Sequence, residues 1–264
     1  MIIVYGSKIL GKRDRVESWG ECEHCGRFTR QENFFGRLWA HVFWIPIFPE
    51  GPRARFVMQC SGCDYGYRFP EKRLPEIVQG ASQSCAEGLK KIRDGERFFR
   101  DDEGHKQVSA MEVLAAARML ACCNETDRAE QAVNAAAELC GPVEAHLLRG
   151  GWFEFRGLFD MARERFDALL AADPDYGLPL LEAAGFVARQ GGVARAIEIL
   201  QRGAEVEPDN PIVFLELFGY CQAEDRHGEA VAAAERAMSL APQLADDKKF
   251  KKALKKSRKK AGVK

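Results

Sequence analysis

At 264 residues, with 46% apolar and 30% charged side chains, the chain is long enough for two domains or a domain and an array. Those proportions describe a foldable protein and exclude a low-complexity chain. The formal charge is zero, but it is unevenly spread. Ten Lys/Arg and no acid fall between Lys248 and Lys264, which leaves 29 basic against 39 acidic side chains before them, so polyanion contact is expected at the tail.

The opening residues, Met1-Ile-Ile-Val-Tyr5-Gly, make an apolar run too short for a signal peptide and read as a first strand. Nine cysteines, an odd number, without an export signal point to a reducing compartment, and a cytoplasmic location is expected. Four of them form Cys22-Glu-His-Cys25 and Cys60-Ser-Gly-Cys63, with 34 residues between the pairs. Zinc is held tetrahedrally by four thiolates, and a two-residue spacer folds each pair onto one metal edge. Cys22, Cys25, Cys60 and Cys63 are therefore expected to hold one structural Zn2+. Four sulfurs close the shell, so no position is left for substrate, and His24 is expected to be an exposed turn residue. Gly26 and Gly62 fall where the turns call for positive φ and for N–H groups aimed at sulfur. Cys85, Cys122, Cys123, Cys140 and Cys221 are expected to act mostly as small buried hydrophobes.

Between the pairs runs the most apolar stretch, Phe34 to Gly51. Arg37, His41, Pro46 and Pro49 interrupt it too often for a membrane span. The two prolines suit an edge strand or turn, and Arg55-Phe-Val-Met-Gln59 reads as the next strand. Trp39, Phe43, Trp44, Ile45 and Ile47 are expected to form the small domain's core and its seam with the neighbouring domain. The alternative is a partly exposed aromatic face used for binding.

The order of short strand, Gly, basic turn, Cys-x-x-Cys-Gly, Trp-Ile-Pro-Ile-Phe-Pro, Cys-x-x-Cys and aromatic strand resembles the small zinc-ribbon family with a Phe-Ile-Pro-type signature. The likeness covers residues 1–70. It implies zinc at Cys22, Cys25, Cys60 and Cys63 and carries no activity. Glu23 stands where such turns often have proline.

After a connecting helix within 74–100 and a polar loop or hinge at 101–107, a period takes over. Pro174, Pro208 and Pro242 are 34 residues apart, as are Ala162, Ala196 and Ala230, and Leu147, Leu181 and Leu215. Gly151, Gly185 and Gly219 share the period, and so do Trp152, Phe186 and Tyr220. Gly157, Gly191 and Asp225 mark the turns within the helix pairs, the alanines the close crossings, and the prolines the helix ends. These units resemble tetratricopeptide (TPR) repeats over residues 143–242. Phe218 sits where the pattern is usually small and Ala234 where it is usually large, as if volume were exchanged within the third unit. Residues 109–142 read as a degenerate repeat or cap. The expected fold class is a small β zinc ribbon followed by an all-α, TPR-like helical solenoid.

Such arrays take peptides on the face lined by first helices. Leu147, Gly151, Leu181, Gly185, Leu215 and Gly219 are the candidate partner-binding residues, for an apolar or helical peptide. The competing reading is that the glycines admit close packing of another part of the chain. Within 243–264, Phe250, Ala253 and Leu254 have the spacing of a capping helix. Beyond Leu254 the run Lys255, Lys256, Arg258, Lys259, Lys260 is expected to bury nothing and to attract polyanions. The function expected is a zinc-binding TPR adaptor or scaffold for protein–protein interaction. The alternative is a nucleic-acid-associated protein binding RNA or DNA through the tail and ribbon. Catalysis is not expected, because the chain has no phosphate-binding Gly-rich loop, no His-Glu-x-x-His, and five scattered histidines.

Overall fold

The computed structural model describes residues 5–42, 45–100 and 106–262. Residues 1–4, Phe43, Trp44 and residues 101–105 of the expected 101–107 hinge lie outside the described residues. The chain divides into two compact units, residues 1–162 and 163–264.

The first unit begins with an antiparallel sheet of β1 (Tyr5–Glu21), β2 (Phe28–Val42), β3 (Ile45–Pro49), β4 (Ala54–Cys60) and β5 (Tyr67–Pro70). Its order is β1-β2-β4-β5, and β3 also pairs with β2, near the end of that strand. The short first strand and basic turn read from the sequence are one long strand. Register shifts after Leu10 and Arg13, with positive φ at Gly11 and Asp14, absorb the turn residues as bulges and let pairing with β2 resume. A further shift lies between Glu32 and Phe34. There the buried Asn33 accepts from the Met58 N–H and donates to the Val16 carbonyl and the Ser18 hydroxyl, replacing ladder bonds the bulge breaks.

The core of the sheet is Phe34, Ala54 and Phe56, with Ile9 and Leu38 against it. This corrects the expected core. Trp39 is half-buried, while Ile45 and Ile47 are 64% and 54% exposed. Pairing on the far half of β2 carries β3 past the Phe34–Phe56 stack, so its side chains reach no core.

Helix α1 (Leu74–Arg93) follows, ending at Gly95 with φ +81°. It is more than a connector. It packs on α2 (Ser109–Cys122) so closely that a Cβ on Gly88 would stand 2.7 Å from Val113 Cγ2. Strands β6 (Phe98–Arg100) and β7 (Lys106–Val108) pair on either side of the expected hinge. Then come α3 (Thr126–Leu139), α4 (Pro142–Phe155) and α5 (Phe159–Ala171), in which the boundary between the units falls.

Arg55 joins sheet to helices inside the first unit. It is fully buried, with Nε donating to the Cys122 carbonyl at 2.8 Å and Nη1 to the Asp14 carbonyl at 2.7 Å. The Cys122 carbonyl is the negative end of α2, which favours a cation there, and the Asp14 carbonyl is presented by the β1 bulge. Burial lowers the guanidinium's pKa, against the opposing pull of Cys123, Cys122 and Asp14. Trp19 adds a second seam, edge-on to Phe159 at 5.0 Å and close over Gly157. The sheet thus packs on helices of the same compact unit, which runs to residue 162.

The second unit holds the end of α5, α6 (Gly177–Arg189), α7 (Val193–Val206), α8 (Pro211–Ala223), α9 (His227–Leu240) and α10 (Lys248–Ala261). The periodic alanines Ala162, Ala196 and Ala230 have no exposed surface, as helix crossings require. Positive φ recurs at Asn124, Gly157, Gly191 and Asp225, in the turn of each helix pair. The first step is 33 residues and the others 34, so residues 109–142 are a helix pair one residue out of period. Phe218 meets Phe250 of α10 at 5.2 Å, so the capping helix takes up part of its volume.

Candidate metal centre and docking face

The two Cys-x-x-Cys turns meet because both connect strands at one end of the sheet. The first joins β1 to β2 and the second β4 to β5, and β2 pairs with β4 in a register that sets Gln31 opposite Cys60. The turns are built alike. In the first, the Cys22 N–H donates to the Arg27 carbonyl and the Gly26 N–H to the Cys22 carbonyl. In the second, the Cys60 N–H donates to Tyr65 and the Asp64 N–H to Cys60. The residue after each second cysteine has positive φ, +65° at Gly26 and +57° at Asp64. Gly62 meets one half of its expected role and not the other, since its φ is not positive. Its N–H points at Cys60 Sγ at 3.3 Å, and its missing side chain makes room for Arg27, whose Nη2 would lie 2.7 Å from a Cβ there.

The four thiol sulfurs lie within 4.8 Å of one another, with Cys22 3.6 Å from Cys63 and Cys25 3.8 Å from Cys60. Such a donor set could hold a metal ion. Their acidities are spread. The Arg27 backbone N–H and then its guanidinium favour the Cys25 thiolate and bring its pKa down to about 6. At Cys63 the Tyr65 backbone N–H pulls the same way, but desolvation and the neighbouring cysteines push the thiol up to about 12. Cys25 is thus poised as a thiolate, while Cys63 keeps a proton that a bound cation would displace.

Contacts that the sequence does not announce bind one turn to the other. Arg27 donates to the Gly62 carbonyl at 3.1 Å, and the Thr29 and Ser61 hydroxyls are 2.8 Å apart. The exposed His24 ring stacks on Tyr65 at 5.2 Å, and the Tyr67 hydroxyl donates to Glu23. Glu23 in place of a turn proline thus acts as an acceptor across the gap. The remaining cysteines stand apart from this cluster. Cys85, Cys122, Cys123 and Cys221 are buried and Cys140 is half-buried, with Cys122 pushed up to about 12 by burial.

The candidate docking residues occupy two different settings. Leu147 is buried, and Gly151 stands against α2, where a Cβ would meet Leu114 Cδ2 at 2.8 Å and Arg118 Nη2 at 3.1 Å. Arg118 also donates to the Gly151 carbonyl. At this level the preceding helix fills the space, as the close-packing reading has it. In the second unit Leu181 and Leu215 are half-buried, Gly185 is buried with Arg189 Nη1 2.9 Å from a Cβ there, and Gly219 is exposed with nothing within 4 Å of a Cβ.

At the tail, α10 continues past Leu254 to Ala261, which corrects the expectation of a run that buries nothing. Asp247 caps it by accepting from the Lys249 and Phe250 N–H groups. Ser257 is buried under Gln222, which donates to its hydroxyl at 2.6 Å. Arg258 pairs with Glu235 at 2.9 Å and Lys260 with Asp225 at 3.0 Å, while Lys255, Lys256 and Lys259 are exposed.

No family model matches the sequence, and no curated protein matches it. Among solved structures, BtubC from P. vanneervenii aligns with a TM-score of 0.47 at 17% identity, over 72% of this chain and 84% of its own. MamA from Desulfovibrio magneticus aligns at 0.42 with 17% identity, over 65% and 95%. YrrB, a TPR protein with an unusual peptide-binding site, aligns at 0.41 with 19% identity, over 57% and 86%. The helical part of this chain is TPR-like on its own period, turns and buried alanines. No helix among the described residues is long and apolar enough to cross a membrane.

Proposed function

We propose that the chain is a zinc-holding, TPR-like adaptor whose work is recognition of a protein or peptide. The observation that carries the reading is the first-helix face of the second unit. Half-buried Leu181 and Leu215 and open Gly219 leave an apolar surface that a peptide side chain could enter. Zinc fits the four sulfurs as a structural ion, since all donors are soft, all lie within one ion's reach, and they exhaust a tetrahedral shell. It would lock the two turns together and, through the sheet, present Arg55 to the end of α2.

The metal reading is tested by metal content of the purified chain. One zinc per chain, lost when Cys22 and Cys60 are replaced by serine, supports it, and a metal-free chain refutes it. The docking reading is tested by placing a photo-crosslinker at Leu215 and, as a control, at the exposed Ala232 on α9. Discrete adducts from position 215 alone support the face. Equal labelling from both positions refutes it.

A further inference from the structure

We propose that the slot beside α10, at the end of the array, docks an acidic amphipathic helix of a partner protein. The slot has a volume of about 780 Å³. Its floor is apolar, made by Met238 near the end of α9, Ala245 in the turn that follows, and Leu254 of α10. Its wall is cationic, made by Lys251, Lys255 and Lys259. These three lysines recur every fourth residue and so form one stripe along α10, roughly 12 Å long at the rise of an α-helix. They are exposed and make no ion pair among the described residues.

The occupant follows from what the slot offers. An apolar floor beside a cationic wall matches a helix with a leucine face and acids at i, i+4 and i+8 on its flank. A nucleic-acid strand fits less well. Its phosphates would pair with the lysine wall but leave the apolar floor unused. The array itself suggests a helix. α10 packs on α9 and reaches α8 through Phe250 and Gln222, and its lysine flank is where a further helix of a solenoid would stack. This surface is separate from the first-helix face, and the inference stands whether or not that face is occupied.

The test uses the full chain and a labelled helical peptide with a leucine face and a glutamate flank, read by fluorescence anisotropy. A scrambled peptide of the same composition and a labelled oligothymidylate serve as competing probes. The expected result is saturable binding of the amphipathic peptide, about tenfold weaker for the scramble. A comparable loss is expected in Lys255→Glu/Lys259→Glu and in Met238→Asp. Lys255→Gln/Lys259→Gln, at exposed positions that leave the fold intact by circular dichroism, should show the same direction should Met238→Asp fail to fold. Equal affinity for the scramble, tighter binding of oligothymidylate, or no peptide binding overturns the proposal. Self-association of the chain that the lysine variants abolish, with no peptide bound, gives the slot to a second copy and overturns it too.

Discussion

In the sheet, the residues that must meet are far apart in the chain: Cys22 finds Cys63 across 41 positions, and Arg55 finds Cys122 across 67. In the array, the residues that meet are helix neighbours. Ala162, Ala196 and Ala230 each sit at one repeated crossing, and each pair turns at one positive-φ residue. The sheet gathers a small apolar cluster around Phe34, Ala54 and Phe56 and leaves Ile45, Ile47 and Phe48 exposed, whereas the array buries a row of side chains in every helix pair. The first region therefore rests on long-range contacts around a small core, which the proposed metal would reinforce, and the second on burial that propagates from unit to unit.

The comparison breaks most visibly if the cross-link is removed. Stripping the metal by chelation, or replacing Cys25 and Cys63 by serine, is expected to collapse the near-ultraviolet signal of the sheet aromatics while most helical signal at 222 nm remains. Structural zinc contributes on the order of 10 kcal/mol in small zinc-dependent domains, so its loss should be the largest effect here. An unchanged near-ultraviolet spectrum would show the sheet standing without it. Next in size is Arg55→Ala, which orphans the end of α2 and leaves a hole beside Phe35. A loss of about 3 kcal/mol in urea unfolding is expected. A loss under about 0.5 kcal/mol would make the buried arginine a bystander.

Arg27→Gln sharpens the same comparison through pH. The Cys25 thiolate is favoured by the Arg27 backbone N–H and then by its guanidinium, so its pKa lies near 6, below the usual value of 9.0. Between that lowered value and the normal one Cys25 is already a thiolate, so a metal displaces no proton from it there, and protons compete only as pH falls through the lowered value. Without the guanidinium the Cys25 pKa rises, protons compete at higher pH, and the midpoint of metal release should move upward by under about one unit. A downward or absent shift on acid titration, followed by a zinc dye, would remove Arg27 from the site.

The difference between regions also explains what could be read from the chain. Cys22, Cys25, Cys60 and Cys63 are recognisable because a two-residue spacer is local, and four such sulfurs make up one tetrahedral donor set. The array is recognisable because a period repeats the same local decision. What could not be read is long-range. No local signal pairs Arg55 with a carbonyl 67 residues away, or sends β3 past the Phe34–Phe56 stack to leave Ile45 and Ile47 exposed. Asp64 took the positive φ that Gly62 was expected to supply, since an aspartate tolerates the left-handed region and the glycine was needed for Arg27. The 109–142 pair escaped the period because a single residue is missing before Gly157 and because Arg118 occupies the Gly151 position.

The smallest effects separate the two ends of the array at positions the sequence renders identical. Gly151 and Gly219 share the period, yet a methyl on Gly151 would lie 2.8 Å from Leu114 Cδ2, while one on Gly219 meets nothing within 4 Å. Both lie inside helices, where alanine is favoured over glycine by roughly 0.5–1 kcal/mol when space allows. Gly219→Ala should therefore raise the thermal midpoint, and Gly151→Ala should lower it, since Leu114 is itself buried and has little room to yield. If Gly151→Ala is as stabilising as Gly219→Ala, α2 does not close on α4 and the apolar face extends over the whole row of leucines. If the signs differ as expected, only the second unit presents an open face, and a peptide that fits it should bind Gly219→Ala more weakly despite the gain in stability.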